Sequence, residues 1–177
     1  VVEDARADTV ASVIGPRLIG AVFVAVAAWQ LRFDVARRTI RGHGLPRFAA
    51  VGVLLGAGWL AVSGAVLLVA ALPPAGPIYD AVLHAVFVGF TLSMVFAHAP
   101  IILPAVARVH VPYHASLYAP LALLHTGLVL RILGDLAGLY AVRVAGAELT
   151  GIALALFIAA VVVARASVPR APAPAVR

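Results

Sequence analysis

The sequence has no cysteine and no lysine among its 177 residues, and only 11% of them are charged. Without cysteine there is no disulfide, no c-type haem attachment, no iron–sulfur cluster held by thiolates and no other thiolate metal site, which leaves histidine and carboxylate donors. Soluble domains are about 25% charged. This chain carries less than half of that, while 64% of it is hydrophobic and its mean hydropathy is +1.09. A soluble globular domain is excluded, and so is a disordered one. The absence of lysine, with the Ala, Val, Gly and Pro bias, points to a GC-rich bacterial genome and not to a chemical role. No nucleophile with its base, phosphate loop or nucleic-acid module is visible. The formal charge of +6 and the pI near 11.1 therefore need another source than a nucleic-acid partner.

The apolar residues supply that source. A bilayer core of about 30 Å takes about 20 apolar residues per helix. Five segments meet this, near Val13–Leu31, Ala49–Leu72, Ile78–Ala107, Leu117–Tyr140 and Ala147–Ala164. The expected fold is an all-α integral membrane protein, a bundle of five transmembrane helices within a single domain over 1–167, followed by a disordered Pro/Ala-rich tail over 168–177. The first span follows Glu3, Asp4 and Asp8 instead of a basic stretch, so it reads as a retained helix and not as a cleaved signal. Arg32, Arg37, Arg38, Arg41, Arg47, Arg108, Arg165, Arg170 and Arg177 would lie on one side, against Arg6, Arg17 and Arg143 on the other. By the positive-inside rule the N-terminus is outside and the C-terminus cytoplasmic, in a bacterial inner membrane. The basic pI then reports topology, and the partner it implies is the lipid bilayer.

Gly52 with Gly56, and Gly134 with Gly138, form GxxxG patterns that read as ordinary helix packing. The run Leu72-Pro73-Pro74-Ala75-Gly76-Pro77 reads as a tight outer turn whose prolines suit the start of the third helix.

Ionisable groups inside hydrocarbon are costly and need a partner or a purpose. They concentrate in two spans: His84 and His98 in the third, and His125, Arg131 and Asp135 in the fourth. At 100° per residue, His84 and His98 return to within about 40° of one face but stand about 21 Å apart along the axis, which makes two layers and not one metal site. Thr91 would lie between them, with Phe87, Met94 and Val95 completing a stripe. Counting depth from the inner end brings His98 level with His125, and His84 level with Asp135. Arg131 and Asp135, at i,i+4, read as an ion pair. Pro100 would free the carbonyl of Phe96 and either kink the helix beside His98 or end it early. His110 and His114, with Pro112 between them, read as solvent or headgroup histidines, and His43 as a loop residue.

Two histidine layers in a helical bundle suit haem, which takes one or two axial imidazoles and an apolar slot, with Arg131 available to a propionate. Copper or zinc wants two or three converging imidazoles, and His98 with His125 supplies at most two. Without a cofactor the same residues read as a polar pathway or proton relay of a small transporter, or as bonds that hold a structural subunit together.

A resemblance enters at these residues. The run His84-Ala85-Val86-Phe87-Val88-Gly89-Phe90, continuing through Met94 and His98, is similar to the histidine-led helix of NnrS-type bacterial membrane proteins. Arg37-Arg38-Thr39, Leu45-Pro46-Arg47-Phe48 and Gly58-Trp59-Leu60 resemble the preceding helix pair of that family, and Leu130-Arg131-Ile132-Leu133 its Arg-bearing helix, so the similarity spans roughly Asp34 to Gly138. NnrS proteins are polytopic haem and copper proteins associated with nitric oxide stress and denitrification. The resemblance implies b-type haem, with copper as a further metal, His84 as first ligand, His98 and His125 as further ligands, and a redox or nitric-oxide-response role. At about half the family's usual size, the chain would enclose a haem only as a homo-oligomer or with a partner membrane subunit.

Overall fold

Away from water, a helix alone satisfies each backbone N–H and C=O within one segment, so apolar stretches of this length fold as helices. A computed structural model describes residues 2–70, 75–107 and 113–166, with side chains described for 13–70, 75–106 and 113–163. The described residues contain helices and no strand. They are α1 (Val2–Phe33), the short α2 (Ala36–Thr39), α3 (Gly44–Val69), α4 (Pro77–His84), a π-helical segment (Ala85–Leu92), α5 (Ser93–Ala107), a 3-10 turn (Ala115–Leu117), α6 (Tyr118–Ala137) and α7 (Tyr140–Ala166). Five stretches are long and apolar enough to cross a membrane: Val13–Phe33, Gly44–Val69, Pro77–Val106, Ala115–Ala137 and Tyr140–Val163. The third is α4, the π segment and α5 run together. Pro73 and Pro74, Arg108, His110, Pro112 and the tail over 168–177 lie outside the described residues.

Two boundaries differ from the sequence reading, both through local chemistry. Gly138 takes the left-handed conformation (φ 67°, ψ 21°) that ends α6, and the Leu139 N–H donates to the Gly134 carbonyl at 2.8 Å. This turn is so short that α7 starts at Tyr140 instead of Ala147, which brings Arg143 into its first turns. Gly138 is therefore a helix terminator with open space around it, whereas Gly134 packs as its spacing suggested, against the backbone of Arg143 in α7. Likewise α3 starts at Gly44, with Pro46 in its first turn, where a missing N–H breaks no helical bond. Further along, α5 runs through Pro100 and Pro104 to Ala107 and does not end early.

The helices pack α1 against α3, α3 against the π segment and α5, α4 against α6, and α6 against α7. Small residues set the close approaches, as expected where apolar lipid offers helices no hydrophobic drive to associate. A Cβ on Gly20 would stand 2.7 Å from the Gly64 carbonyl, and one on Gly127 would stand 2.7 Å from the Gly146 carbonyl. Gly52 and Gly56 take α3 onto Ala97 and Met94 of α5, the packing role read from their spacing. Near the Arg-rich end a core of Phe48, Phe96, Leu117, Leu121, Leu124 and Phe157 ties α3, α5, α6 and α7 together, with Phe96 stacked on Phe157 at 4.0 Å between centroids.

Gly127→Val should lower stability by about 1–3 kcal/mol or more, because backbone faces the new methyl groups and cannot yield as a side chain would. Gly151→Val on the next helix, with nothing within 4 Å of its Cβ position, should change it little. Unfolding in mixed detergent micelles measures both, and equal loss in the two variants would refute this account of the α6–α7 seam.

Candidate functional site

The third span decides where its histidines look. In an α-helix each residue advances by 100°, but in the i→i+5 turns of the segment Ala85–Leu92 each advances by less. The eight π residues therefore undo the facing computed for His84 and His98. His84 lies against Asp80, which pairs with Arg131 of α6, while His98 opens on a cleft between α1, α3 and α5. The expected stripe is also broken: Phe87 and Val95 are exposed, whereas Met94 lines the cleft with His98.

At mid-span, His125 of α6 is held from both sides. The Trp59 indole N–H donates to His125 Nδ1 at 2.9 Å, so in the neutral ring Nε2 carries the proton and donates to Ser93 Oγ at 3.3 Å. The Ser93 hydroxyl in turn donates to the Gly89 carbonyl inside the π segment. Trp59 reaches this position because residue 89 has no side chain: a Cβ there would come within 2.6 Å of Trp59 Cβ. His125 thus has neither nitrogen free for a metal, and it does not neighbour His98. Ser93 faces α6, and five residues further on His98 lies about 140° around the helix.

At the end away from the Arg-rich loop, charges converge. Asp80, in the first turn of α4, receives Arg131 Nη2 on Oδ2 at 3.0 Å. His84 Nδ1 lies 2.8 Å from the Asp80 carbonyl and 3.4 Å from its Oδ1. Arg143 Nη1 donates to Asp135 Oδ1 at 3.2 Å. The expected Arg131–Asp135 pair is thus replaced by two crossed pairs, Arg131–Asp80 and Arg143–Asp135. The reason is tertiary: α4 and α7 bring opposite charges to α6 that outcompete the unfavourable Arg-then-Asp order along one helix. The Asp135 side chain is 6% exposed, and its Oδ2, like Arg131 Nε, is buried without a partner. Two carboxylates balance two guanidinium groups, which is how a charge cluster persists where solvation is poor.

At the Arg-rich end, His98 Nδ1 donates to the Met94 carbonyl at 2.8 Å. This is the bond His84 makes to the carbonyl four residues before it. A ring fixed through Nδ1–H keeps its lone pair on Nε2, the arrangement that orients metal-ligating histidines. His98 looks into a cleft of about 400 Å³ that also takes in Gln30 and Asp34. His114 caps the 3-10 turn, its Nδ1 accepting the Ser116 N–H at 3.2 Å, and His43 precedes α3 in extended backbone. Among the described residues no group of three or more His, Asp or Glu side chains converges on a metal position.

Sequence reasoning therefore found His84, His98, His125, Arg131 and Asp135 but assigned the wrong neighbours, and it missed Asp80, Arg143, Trp59, Ser93 and Gln30 as members. Asp80 was within reach, since it precedes His84 by the same i,i+4 step that was applied to Arg131 and Asp135.

Five apolar helices with ionisable groups between them define a multi-pass helical membrane protein. A family model described as a domain of unknown function, DUF8744, matches residues 1–166, and the chain belongs to that family. No curated protein and no solved structure matches the chain.

A double-mutant cycle on Asp80→Asn and Arg131→Gln should give a coupling of about 0.5–2 kcal/mol in unfolding stability, and the cycle on Arg131→Gln and Asp135→Asn a smaller one. The reverse order would overturn the crossed pairing.

Proposed function

We propose that this protein spans the bacterial cytoplasmic membrane with its N-terminus outside, and that it binds b-type haem through His84 in an NnrS-like redox or nitric-oxide-response role. Nine arginines on one side against three on the other support the orientation. The observation that carries the haem reading is the anchoring of His84. Its Nδ1 is held by the Asp80 carbonyl, Asp80 is held by Arg131, and Nε2 is left for an axial bond. Haem bound there would supply one-electron chemistry and a site for a diatomic ligand. None of the clefts described around α3, α4, α6 and α7 takes in His84, so a second copy or a partner subunit would complete the slot.

The other two histidines fit haem less well. His125 has both nitrogens engaged, and no arginine lines the His98 cleft to meet a propionate. Copper held by three protein donors of this chain does not fit the described residues, because no such group converges. Detergent-purified, haem-supplemented protein should show a Soret band that His84→Ala removes and His125→Phe leaves in place. Absence of visible absorption in the wild-type protein would sink the reading.

A second reading, a proton relay or small transporter without cofactor, is favoured by one observation. Titratable groups occur at three depths: Asp80, His84 and Asp135 at one end, His125 in the middle, and His98 with Asp34 at the other. On this reading Asp135→Asn abolishes proton flux in proteoliposomes, and unchanged flux counts against it.

A further inference from the structure

One carboxyl group within the last span faces away from the bundle. Because α7 starts at Tyr140, Glu148 falls inside the span Tyr140–Val163, about 12 Å beyond Tyr140 at 1.5 Å per residue. α7 buries Gly146, Ala153 and Phe157 against its neighbours, and at 100° per residue these lie about 140–180° around the helix from Glu148. Glu148 is exposed and forms no hydrogen bond or ion pair with any described residue. The nearest arginine along α7, Arg143, lies about 140° around the helix and is spent on Asp135. A glutamate stem is also too short to lift its carboxyl to the interface from this depth, as a lysine or arginine stem would. A polar group facing hydrocarbon needs a partner, and this one has to come from outside the chain.

The residues around Glu148 identify that partner. Ala141, Ala145, Glu148, Ile152, Ala155 and Ala159 are all exposed, follow one another at alternating steps of four and three, and lie within about 60° of the Glu148 direction. This spacing is the seam of a left-handed helix pair, and its alanines let two backbones come close. The seam is also complementary to itself. About a twofold axis along the membrane normal, a second α7 brings every seam residue to its own depth, so Glu148 meets Glu148 without adjustment. A carboxyl group in its acid form carries one O–H donor and one carbonyl acceptor, and two of them face to face satisfy both. A lysine or arginine from another protein would need more room than the short gap between alanine layers leaves, and a lipid headgroup does not reach this depth.

We propose that the exposed face of α7 is the interface of a parallel homodimer, in which the two Glu148 carboxyl groups hydrogen-bond to each other across the twofold axis inside the bilayer. The opposite face of α7 is the one that holds it to its own chain, through Gly146 on α6 and Phe157 in the core, so the dimer contact competes with nothing in the fold. The inference rests on α7 alone and stands whether or not His84 carries haem.

The absence of cysteine makes the test direct, because a single cysteine introduced into the full chain cross-links only to its counterpart in a second copy. In membranes treated with copper–phenanthroline, Ala155→Cys and Ala159→Cys should give disulfide-linked dimers. Ala147→Cys, exposed on the same helix about 100° from Glu148, and Ala21→Cys, exposed on α1, should not. Cross-linking as strong at residue 147 as at residue 155 would overturn the seam. In a detergent dilution series followed by fluorescence energy transfer, Glu148→Leu should weaken association about tenfold, and Glu148→Gln, whose amide keeps a donor and an acceptor, should stay within about twofold of the wild-type protein. A Gln variant as weak as the Leu variant would point to a cationic partner instead, and a Leu variant as strong as the wild type would remove Glu148 from the contact. Either result overturns the proposal, as does a wild-type protein that is monomeric throughout the series. A missing Soret band with the dimer intact is a failure at His84 alone.

Discussion

The chain of hydrogen bonds from Trp59 through His125 and Ser93 to the Gly89 carbonyl holds the third span to its neighbours, and the rest of the polar architecture follows from it. The i→i+5 turns between Ala85 and Leu92 displace the helical register. Two hydroxyls bond carbonyls of the widened segment, Thr91 within it to Val86 at 3.2 Å and Ser93 just after it to Gly89. Because the register slips there, the two histidines anchored on this span serve different sides of the bundle. His125 contributes by being fully satisfied, and its place is architectural.

Poor solvation governs the charged cluster in the same way. Each charge brought into an apolar bundle must meet its opposite, and the geometry here distributes that need over three helices. Asp80 comes from α4, Arg131 and Asp135 from α6, and Arg143 from α7, so the cluster joins the elements that α6 alone could not hold. The close glycine contact between α6 and α7 is a condition for it. Without the backbone approach at Gly127 and Gly146, Arg143 would not lie beside Asp135.

The two anchored histidines give the molecule a polarity along its axis. One sits in a charge-balanced network at the end opposite the Arg-rich loop, and the other at a cleft near that loop. His125, held by Trp59 and Ser93, lies between the two.

Much of the architecture was legible in residues alone, for a physical reason: hydrocarbon punishes unsatisfied backbone so severely that about 20 apolar residues leave no alternative to a helix. Five spans, the Arg-rich side and the short list of polar residues that had to matter followed from this. Partner choice was not legible, since it depends on helix rotation and on which neighbours approach. Spacing placed Arg131 with Asp135 and His98 level with His125, because along one ideal helix those are the nearest groups. Tertiary structure reassigned them, Arg131 to Asp80 across α4 and α6, and His125 to Trp59 and Ser93. Composition and periodicity act locally and fix which segments enter the membrane, whereas a π turn or a left-handed glycine acts on everything beyond it. Eight residues of altered pitch turned His98 away from His84, and one glycine at residue 138 carried Arg143 to Asp135.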